Sequence, residues 1–255
     1  WVATFRRNVW QVWPGILTAI DVNENGLNGT FQKSGDNKAQ LTTHILDIRN
    51  RDLVNKLPEE IIEKHGVIDS LINCAGIIQP FKKIGSIDIE TTKRIIDINF
   101  YGTLNLIQAF EPYLLKREEA YVVNVSSMGG LLPILGQSIY GASKAAVKKL
   151  TESLHFEYRN TSIHVSVVFP GGVNSNIMKN SGLSTNKTLD RLQQIIKITT
   201  PEKAAKMIVN GIIQNKYRIF IGFDVKILNL WYKISPRIAP RVVFYVLKKI
   251  FPEWA

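Results

Sequence analysis

Short apolar runs rich in β-branched residues alternate with helical stretches along most of this 255-residue chain. Six runs are predicted as strands: residues 16–21, 40–48, 68–76, 121–125, 162–170 and 218–222. This alternation predicts an α/β fold with a doubly wound parallel sheet, right-handed crossovers and helices on both faces. Ligands of such folds bind at the carboxyl ends of the strands. Polar residues at strand ends are therefore the first candidates for a functional site.

A tyrosine and a lysine lie four residues apart in the predicted helix 139–158. This spacing places Tyr140 and Lys144 on one face, about 5.4 Å apart along the axis. A fixed ammonium favours the phenolate, so we expect Lys144 to lower the pKa of Tyr140 and the phenol to exchange a proton with a substrate oxygen. Ser127 follows the preceding strand, where its hydroxyl can face the phenol. A Tyr-x-x-x-Lys pair alone is weak support, because many helices contain it by chance.

Three further motifs accompany this pair. Asn73-Cys74-Ala75-Gly76 ends the third predicted strand, Asn99 lies inside a predicted helix over 88–115, and Pro170-Gly171-Gly172-Val173 ends the fifth strand. With Ser127 and Tyr140-x-x-x-Lys144, these motifs in this order resemble the short-chain dehydrogenase/reductase family. The similarity runs from about residue 16 to about residue 222.

The resemblance implies a Rossmann-like fold and reversible hydride transfer between a nicotinamide cofactor and a secondary alcohol or ketone. In this family Tyr140 would exchange the hydroxyl proton, Lys144 would hold the nicotinamide ribose, and Ser127 would bind the substrate oxygen. Asn99 matches the asparagine of a water-linked proton path to the lysine, although an ordinary helix asparagine remains the alternative. The implied cofactor contacts are Asp21, Asp47, Ile48, Asn73, Ala75, Gly76, Tyr140, Lys144, Pro170, Gly171, Val173 and Ser175.

Asp21 ends the first predicted strand and bears on the choice of cofactor. An acid at this strand end of a dinucleotide fold binds the adenosine ribose hydroxyls and repels a 2′-phosphate. Val22 and Asn23 add no arginine that could receive such a phosphate, so NAD(H) is expected over NADP(H). The alternative is an aspartate that only caps its own loop.

The first fifteen residues depart from the family pattern, which begins with a strand and a TGxxxGxG turn. Neither is found there, so the parallel sheet is expected to lack its first strand. A truncated fragment or a shifted reading frame would explain the departure. If the pyrophosphate contacts are lost, the chain is instead a homologue that binds no cofactor and has no activity or only an interaction role.

Composition narrows the remaining classes. The single cysteine, Cys74, excludes a disulfide framework and fits a cytoplasmic protein. No apolar run reaches the ~18 residues of a membrane span, and the four histidines lack metal-ligand spacing, so no metal is expected. The net charge of +11 fits an acidic partner, an anionic membrane or a solvated surface. Because basic residues are spread along the chain, no nucleic-acid binding is expected.

The chain is predicted to form one domain over 1–222, followed by a basic, aromatic extension over 223–255. This extension is expected to cap the substrate pocket, form a dimer contact or lie on a membrane surface. Residues 174–200 match a mobile substrate lid. The mostly apolar segments 77–81 and 128–137 are expected to line the pocket, which favours a lipophilic substrate. The family resemblance implies a homodimer or homotetramer.

Overall fold

Strands and helices alternate in the computed structural model, which describes residues 15–32, 41–183 and 198–248. The strands are β1 (Leu17–Asp21), β2 (Leu41–Ile45), β3 (Ser70–Asn73), β4 (Ala120–Val125), β5 (Ile163–Pro170) and β6 (Arg218–Ile221). The helices are α1 (Glu24–Gln32), α2 (Arg51–His65), α3 (Ile89–Ile96), α4 (Gly102–Leu114), α5 (Ser138–Glu157), α6 (Ile177–Asn180), α7 (Pro201–Ile213), α8 (Phe223–Ile234) and α9 (Ile238–Lys248). Short 3₁₀ turns lie at Ile84–Ser86 and Met128–Gly130. The predicted α/β class is confirmed.

Every strand pair runs parallel, in two groups. The strands β3, β4, β5 and β6 form one sheet in that order, and β1 pairs with β2 in another. No strand bridges β1 and β3 in the parts of the chain that the structure describes, and residues of both strands line a cavity of about 1820 Å³. The expected loss of a first strand concerns residues 1–14, which lie outside the described ranges.

Helices cover both faces of the four-stranded sheet. Successive residues of a strand point to opposite faces, and Val122 and Val123 of β4 show this alternation. Val122 belongs to a buried cluster with Phe110 of α4, and Val123 to a second cluster with Ile208 of α7. Burial of each such side chain stabilises the fold by roughly 1.5–3 kcal/mol, so both faces of the sheet contribute to its stability.

Two local features differ from the sequence prediction. The strand predicted over 40–48 ends at Ile45, so Asp47 and Ile48 lie in the loop that follows β2. The single helix predicted over 88–115 contains a π-helical turn, Asp97–Tyr101, between α3 and α4. Extra-residue turns of this kind are frequent at functional sites, and Asn99 lies within this one.

The C-terminal extension contains two helices. Val225 of α8 is fully buried and clusters with Val167 and Phe169 of β5, so α8 packs against the four-stranded sheet. The division at residue 222 stays a prediction. Most of the predicted lid, residues 184–197, lies outside the described residues.

Candidate active site

The carboxyl ends of β1, β3, β4 and β5 open into the 1820 Å³ cavity. The twelve predicted cofactor contacts all line it: Asp21, Asp47, Ile48, Asn73, Ala75, Gly76, Tyr140, Lys144, Pro170, Gly171, Val173 and Ser175. Ser127 lines it as well, whereas Asn99 is fully buried behind its wall. The structure therefore brings the residues that were singled out in the sequence into one cleft.

Lys144 is held at the end of β4 by both its backbone and its side chain. Its Nζ donates a 3.0 Å hydrogen bond to the carbonyl of Val125, and its own carbonyl accepts one of 2.7 Å from Ser126 Oγ. The side chain is 3% exposed, and this loss of solvent lowers the pKa of Lys144 to about 8. The result is a fixed ammonium whose charge responds to pH slightly above neutrality.

Tyr140 is the third residue of α5, and its half-buried side chain interacts with Ser127. Loss of solvent raises the pKa of Tyr140, while the hydrogen bond with the Ser127 hydroxyl acts in the opposite direction. The net direction is upward, opposite to the lowering expected from Lys144. Loss of solvent therefore dominates, and Lys144, whose Nζ donates to the Val125 carbonyl, does not contribute to the shift of the Tyr140 pKa.

Asn99 joins the loop after β3 to α5. Its Oδ1 accepts from the N–H of Ile77 at 2.9 Å, and its Nδ2 donates to the Ile77 carbonyl and to Ser143 Oγ. Between Asn99 and Lys144 lies Gly76, where an added Cβ would come within 2.9 Å of Lys144 Nζ and 3.3 Å of Asn99 Oδ1. Only glycine leaves room for both side chains here. The proton path assigned to Asn99 stays a prediction.

Gln79 contributes to the site, although the sequence pattern indicated only the segment 77–81 that contains it. It is fully buried, and its Oε1 accepts hydrogen bonds from the N–H groups of Ile139 and Tyr140 at the start of α5. Its Nε2 donates to the Gly136 carbonyl, and its own carbonyl accepts from Gln137 Nε2. The cap is supplied from about 60 residues away, so no local capping signal could reveal it.

The adenosine end of the cleft contains the two predicted aspartates. Asp21 Oδ1 accepts from the N–H of Asn23 at 3.0 Å, so Asp21 does cap its own loop. Asp47 is paired with Arg49, which lowers the pKa of the Asp47 carboxyl mainly through side-chain hydrogen bonds. Ile48 belongs to the hydrophobic core and packs against Gly102. Each residue has a structural role besides its position in the cleft wall.

The turn after β5 is held on two sides. The N–H of Gly171 donates to the Ile221 carbonyl, and an added Cβ there would come within 2.6 Å of Val225. Thr199 exchanges backbone hydrogen bonds with Gly172 and Asn174. These contacts fix the backbone of the turn on which Ser175 and Val173 lie.

A buried acceptor at the end of β3 fits a polar ligand. Asn73 Nδ2 donates to Asn124 Oδ1 at 2.8 Å, and Asn124 in turn donates to Thr151 Oγ1. Asn73 Oδ1 has no hydrogen-bond partner among the described residues. An unpaired buried oxygen in a cleft wall costs free energy that a ligand hydroxyl or amide would recover. Together with Gly76, which leaves room for Lys144 Nζ in the cleft wall, it fits a nicotinamide dinucleotide along this wall, whereas the described residues show no glycine-rich pyrophosphate turn.

The sequence profile described as short chain dehydrogenase matches residues 15–186, about two thirds of the chain. The chain belongs to the short-chain dehydrogenase/reductase family. It is 29% identical over 245 residues to a Mycobacterium tuberculosis protein described as the oxidoreductase SadH, covering 94% of this chain and 88% of that protein. It is also 32% identical to the 3-ketodihydrosphingosine reductase of Bacteroides thetaiotaomicron, over 67% of this chain and 64% of that protein.

Solved structures of this family share the fold. A short-chain dehydrogenase/reductase from Burkholderia phymatum in complex with NAD has a TM-score of 0.77 at 20% identity, covering 92% of this chain and 89% of that one. ElxO with bound NADP has a TM-score of 0.71 at 19% identity, covering 86% and 91%. The family is thus one of oxidoreductases in which members bind NAD or NADP.

Proposed function

We propose that this short-chain dehydrogenase/reductase catalyses reversible hydride transfer between NAD(H) and a lipophilic secondary alcohol or ketone. The observation that supports it most is the convergence of Ser127, Tyr140 and Lys144 on one cleft with the twelve predicted cofactor contacts. Membership of an oxidoreductase family also supports this reaction.

Each catalytic residue has a role that its surroundings support. The Tyr140 hydroxyl gives its proton to the carbonyl oxygen during reduction and takes it back during oxidation. Loss of solvent raises the pKa of this phenol, which favours the protonated form that donates during reduction. Ser127 Oγ donates to the same substrate oxygen and stabilises its developing charge. A bound nicotinamide would supply or accept the hydride.

Lys144 and Asn99 have supporting roles in the proposed active site. The Lys144 ammonium, fixed at the Val125 carbonyl, offers its remaining N–H groups to a ribose hydroxyl. Asn99 keeps the loop at Ile77 against α5, so that Gly76 and Lys144 remain adjacent. In the proposal it also maintains the proton path between solvent and the lysine.

The preference for NAD rests on Asp21. Its carboxylate lines the cleft at the end of β1, where it would bind ribose hydroxyls and repel a 2′-phosphate. Arg49, a cation of the same region, is already paired with Asp47. NADP is therefore the less favoured cofactor.

A lipophilic substrate is favoured by the apolar side chains of the cleft. Those near the catalytic end are Ile77, Ile78, Phe81, Ile177 and Met178. Residues 128–137, which were also expected to line the pocket, do not line this cleft. We also propose that the protein is a homodimer or homotetramer and acts in the cytoplasm. Light scattering would test the first point and cell fractionation the second.

The rival is a homologue without cofactor binding, which the family match and the oxidoreductase relatives do not favour. Calorimetric titration with NADH separates the two. Micromolar binding supports the enzyme. No detectable binding by the folded chain would overturn the proposal. Lost pyrophosphate contacts would explain such a result, because each lost charge-assisted hydrogen bond removes about 1.5–3 kcal/mol of binding free energy.

A further inference from the structure

The outward face of α8 is apolar although no described residue covers it. Phe223, Ile227, Leu230 and Ile234 recur every three or four residues and are 78%, 47%, 60% and 73% exposed. Residues with this spacing share one helix face. The opposite face carries the fully buried Val225, which anchors the helix to β5. α8 therefore has two apolar faces, and only one is used by the fold.

The exposed apolar set continues into α9. The two helices contact each other, with Ile238 at the start of α9 52% exposed and Tyr245 65% exposed. Trp231, at 38%, lies beside the outward face of α8. We define the outward surface as Phe223, Ile227, Leu230, Trp231, Ile234, Ile238 and Tyr245. Exposed apolar residues on two helices that contact each other indicate an interaction surface.

The charges around the outward surface are predominantly positive. Residues 223–248 contain Lys226, Lys233, Arg237, Arg241 and Lys248 against one acidic residue, Asp224, at the start of α8. Lys226 and Lys233 follow Val225 and Tyr232 on α8 and project beside the apolar face, where they are exposed. An apolar face bordered by lysines, with tryptophan and tyrosine nearby, is the pattern of a helix that lies in a membrane interface.

These charges distinguish between two occupants. A second copy of the chain would bring the same basic residues against each other, and like charges across an interface disfavour association. An anionic lipid leaflet is complementary, because each lysine or arginine near such a surface is attracted to it. Neither helix is long and apolar enough to cross a bilayer among the described residues, so the helices would lie on the bilayer.

We propose that the outward surface of α8 and α9 docks the protein on an anionic lipid bilayer, with its apolar side chains in the headgroup boundary. The start of α8 contacts the active-site turn, since Val225 packs against Gly171. Docking therefore holds one wall of the cleft close to the lipid. The docking itself does not depend on the proposed reaction and can be tested without substrate or cofactor.

Co-sedimentation with large vesicles tests the proposal. The full chain is expected to pellet with phosphatidylcholine vesicles that contain phosphatidylserine, to pellet much less with phosphatidylcholine alone, and to be released by high salt. Failure to pellet with the anionic vesicles would overturn the proposal. So would equal binding to both vesicle types.

Two double variants locate the contact. Leu230→Ser with Ile234→Ser is expected to weaken vesicle binding by at least about tenfold, because two inserted apolar side chains are lost. Lys226→Gln with Lys233→Gln is expected to weaken binding to anionic vesicles by about thirtyfold. The matched control is Ile84→Ser with Ile89→Ser, which removes two isoleucines that are 57% and 60% exposed on another surface.

The control variant should bind vesicles as the unmodified chain does, and circular dichroism should show all variants folded. Equal losses in the control and in Leu230→Ser with Ile234→Ser would overturn the assignment to this surface. Light scattering tests the alternative that the surface is a contact between two copies of the chain. If the α8 variant converts an oligomer to a monomer while vesicle binding is unchanged, the surface is a contact between copies and the proposal is wrong.

Discussion

The side-chain oxygen of Gln79 accepts a 3.1 Å hydrogen bond from the backbone N–H of Tyr140. The same oxygen accepts one of 2.7 Å from Ile139, so Gln79 caps the helix that carries the proposed catalytic tyrosine. Gln137, at the N-cap position itself, makes no side-chain cap. The position of the phenol is thus coupled to the loop after β3, which also forms part of the cleft wall.

Gln79→Ala is predicted to lower kcat while the KM for NADH changes little, because Gln79 positions Tyr140 and lies outside the cofactor contacts. The unpaired N–H groups should also lower the free energy of unfolding by about 1–3 kcal/mol. Gln79→Glu, whose carboxylate can accept the same two hydrogen bonds, should recover part of the lost kcat. The control is Gln108→Ala on the exposed face of α4. A stability loss with unchanged kcat would reduce Gln79 to a structural role.

Gly76→Ala is predicted to impair the site through steric contact. The new Cβ would lie 2.9 Å from Lys144 Nζ and must displace it or the Asn99 amide. Overpacking of this kind costs typically 1–3 kcal/mol, and we expect both stability and NADH affinity to fall. Gly85→Ala is the control, because no described residue lies within 4 Å of an added Cβ there. Wild-type NADH affinity in Gly76→Ala would show that Lys144 is not held where the structure has it.

The stability of Lys144→Met is predicted to depend on pH differently from that of the unmodified chain. Burial lowers the pKa of Lys144 to about 8 from 10.5. Between these values the unfolded chain binds a proton that the folded chain has released, so the unmodified protein gains stability as pH rises. Any advantage of Lys144→Met should therefore be largest below pH 8 and shrink by about 2–3 kcal/mol toward pH ~10.5.

Urea unfolding at about pH 7 and about pH 10 measures this difference. Lys206→Met, which removes an exposed ammonium from α7, is the control and should follow the unmodified chain at both values. Parallel pH profiles for Lys144→Met and the unmodified chain would contradict the burial of a titrating ammonium at the end of β4.

Asp21→Asn is predicted to weaken the preference for NADH over NADPH by about tenfold, because it removes the charge that repels a 2′-phosphate. The amide oxygen can still accept from the Asn23 N–H, so the loop cap is kept. Fluorescence titration with both cofactors measures the ratio. Glu63→Gln, an equal charge change on the exposed side of α2, should leave it unaltered. An unchanged ratio in Asp21→Asn would leave Asp21 with its capping role alone.

Local pattern predicted the strands, the helix that carries Tyr140 and Lys144, and the convergence of polar strand ends, because periodicity and topology determine these features. Pattern could not predict contacts that depend on tertiary packing. The cap from Gln79 joins segments 61 residues apart, and the π-helical turn around Asn99 has no local sequence signal.

Electrostatics was the least predictable part of the site. The spacing of Tyr140 and Lys144 indicated a charge pair and a lowered phenol pKa, but spacing does not report how much solvent each group loses. In the structure the loss of solvent dominates both groups, which raises the pKa of Tyr140 and lowers that of Lys144. Asp47 and Arg49 are only two residues apart, so their ion pair is a local feature that the sequence could have indicated.

The Tyr140 hydroxyl is the group proposed to exchange the substrate proton, and the mechanism depends on it. Tyr140→Phe removes that oxygen alone, so NADH-dependent reduction of a ketone that the unmodified chain accepts should fall by at least about a hundredfold. NADH affinity should change less than about twofold, and Tyr101→Phe, at an exposed tyrosine outside the cleft, should keep both quantities. Turnover by Tyr140→Phe equal to that of the unmodified chain would contradict the proposed mechanism.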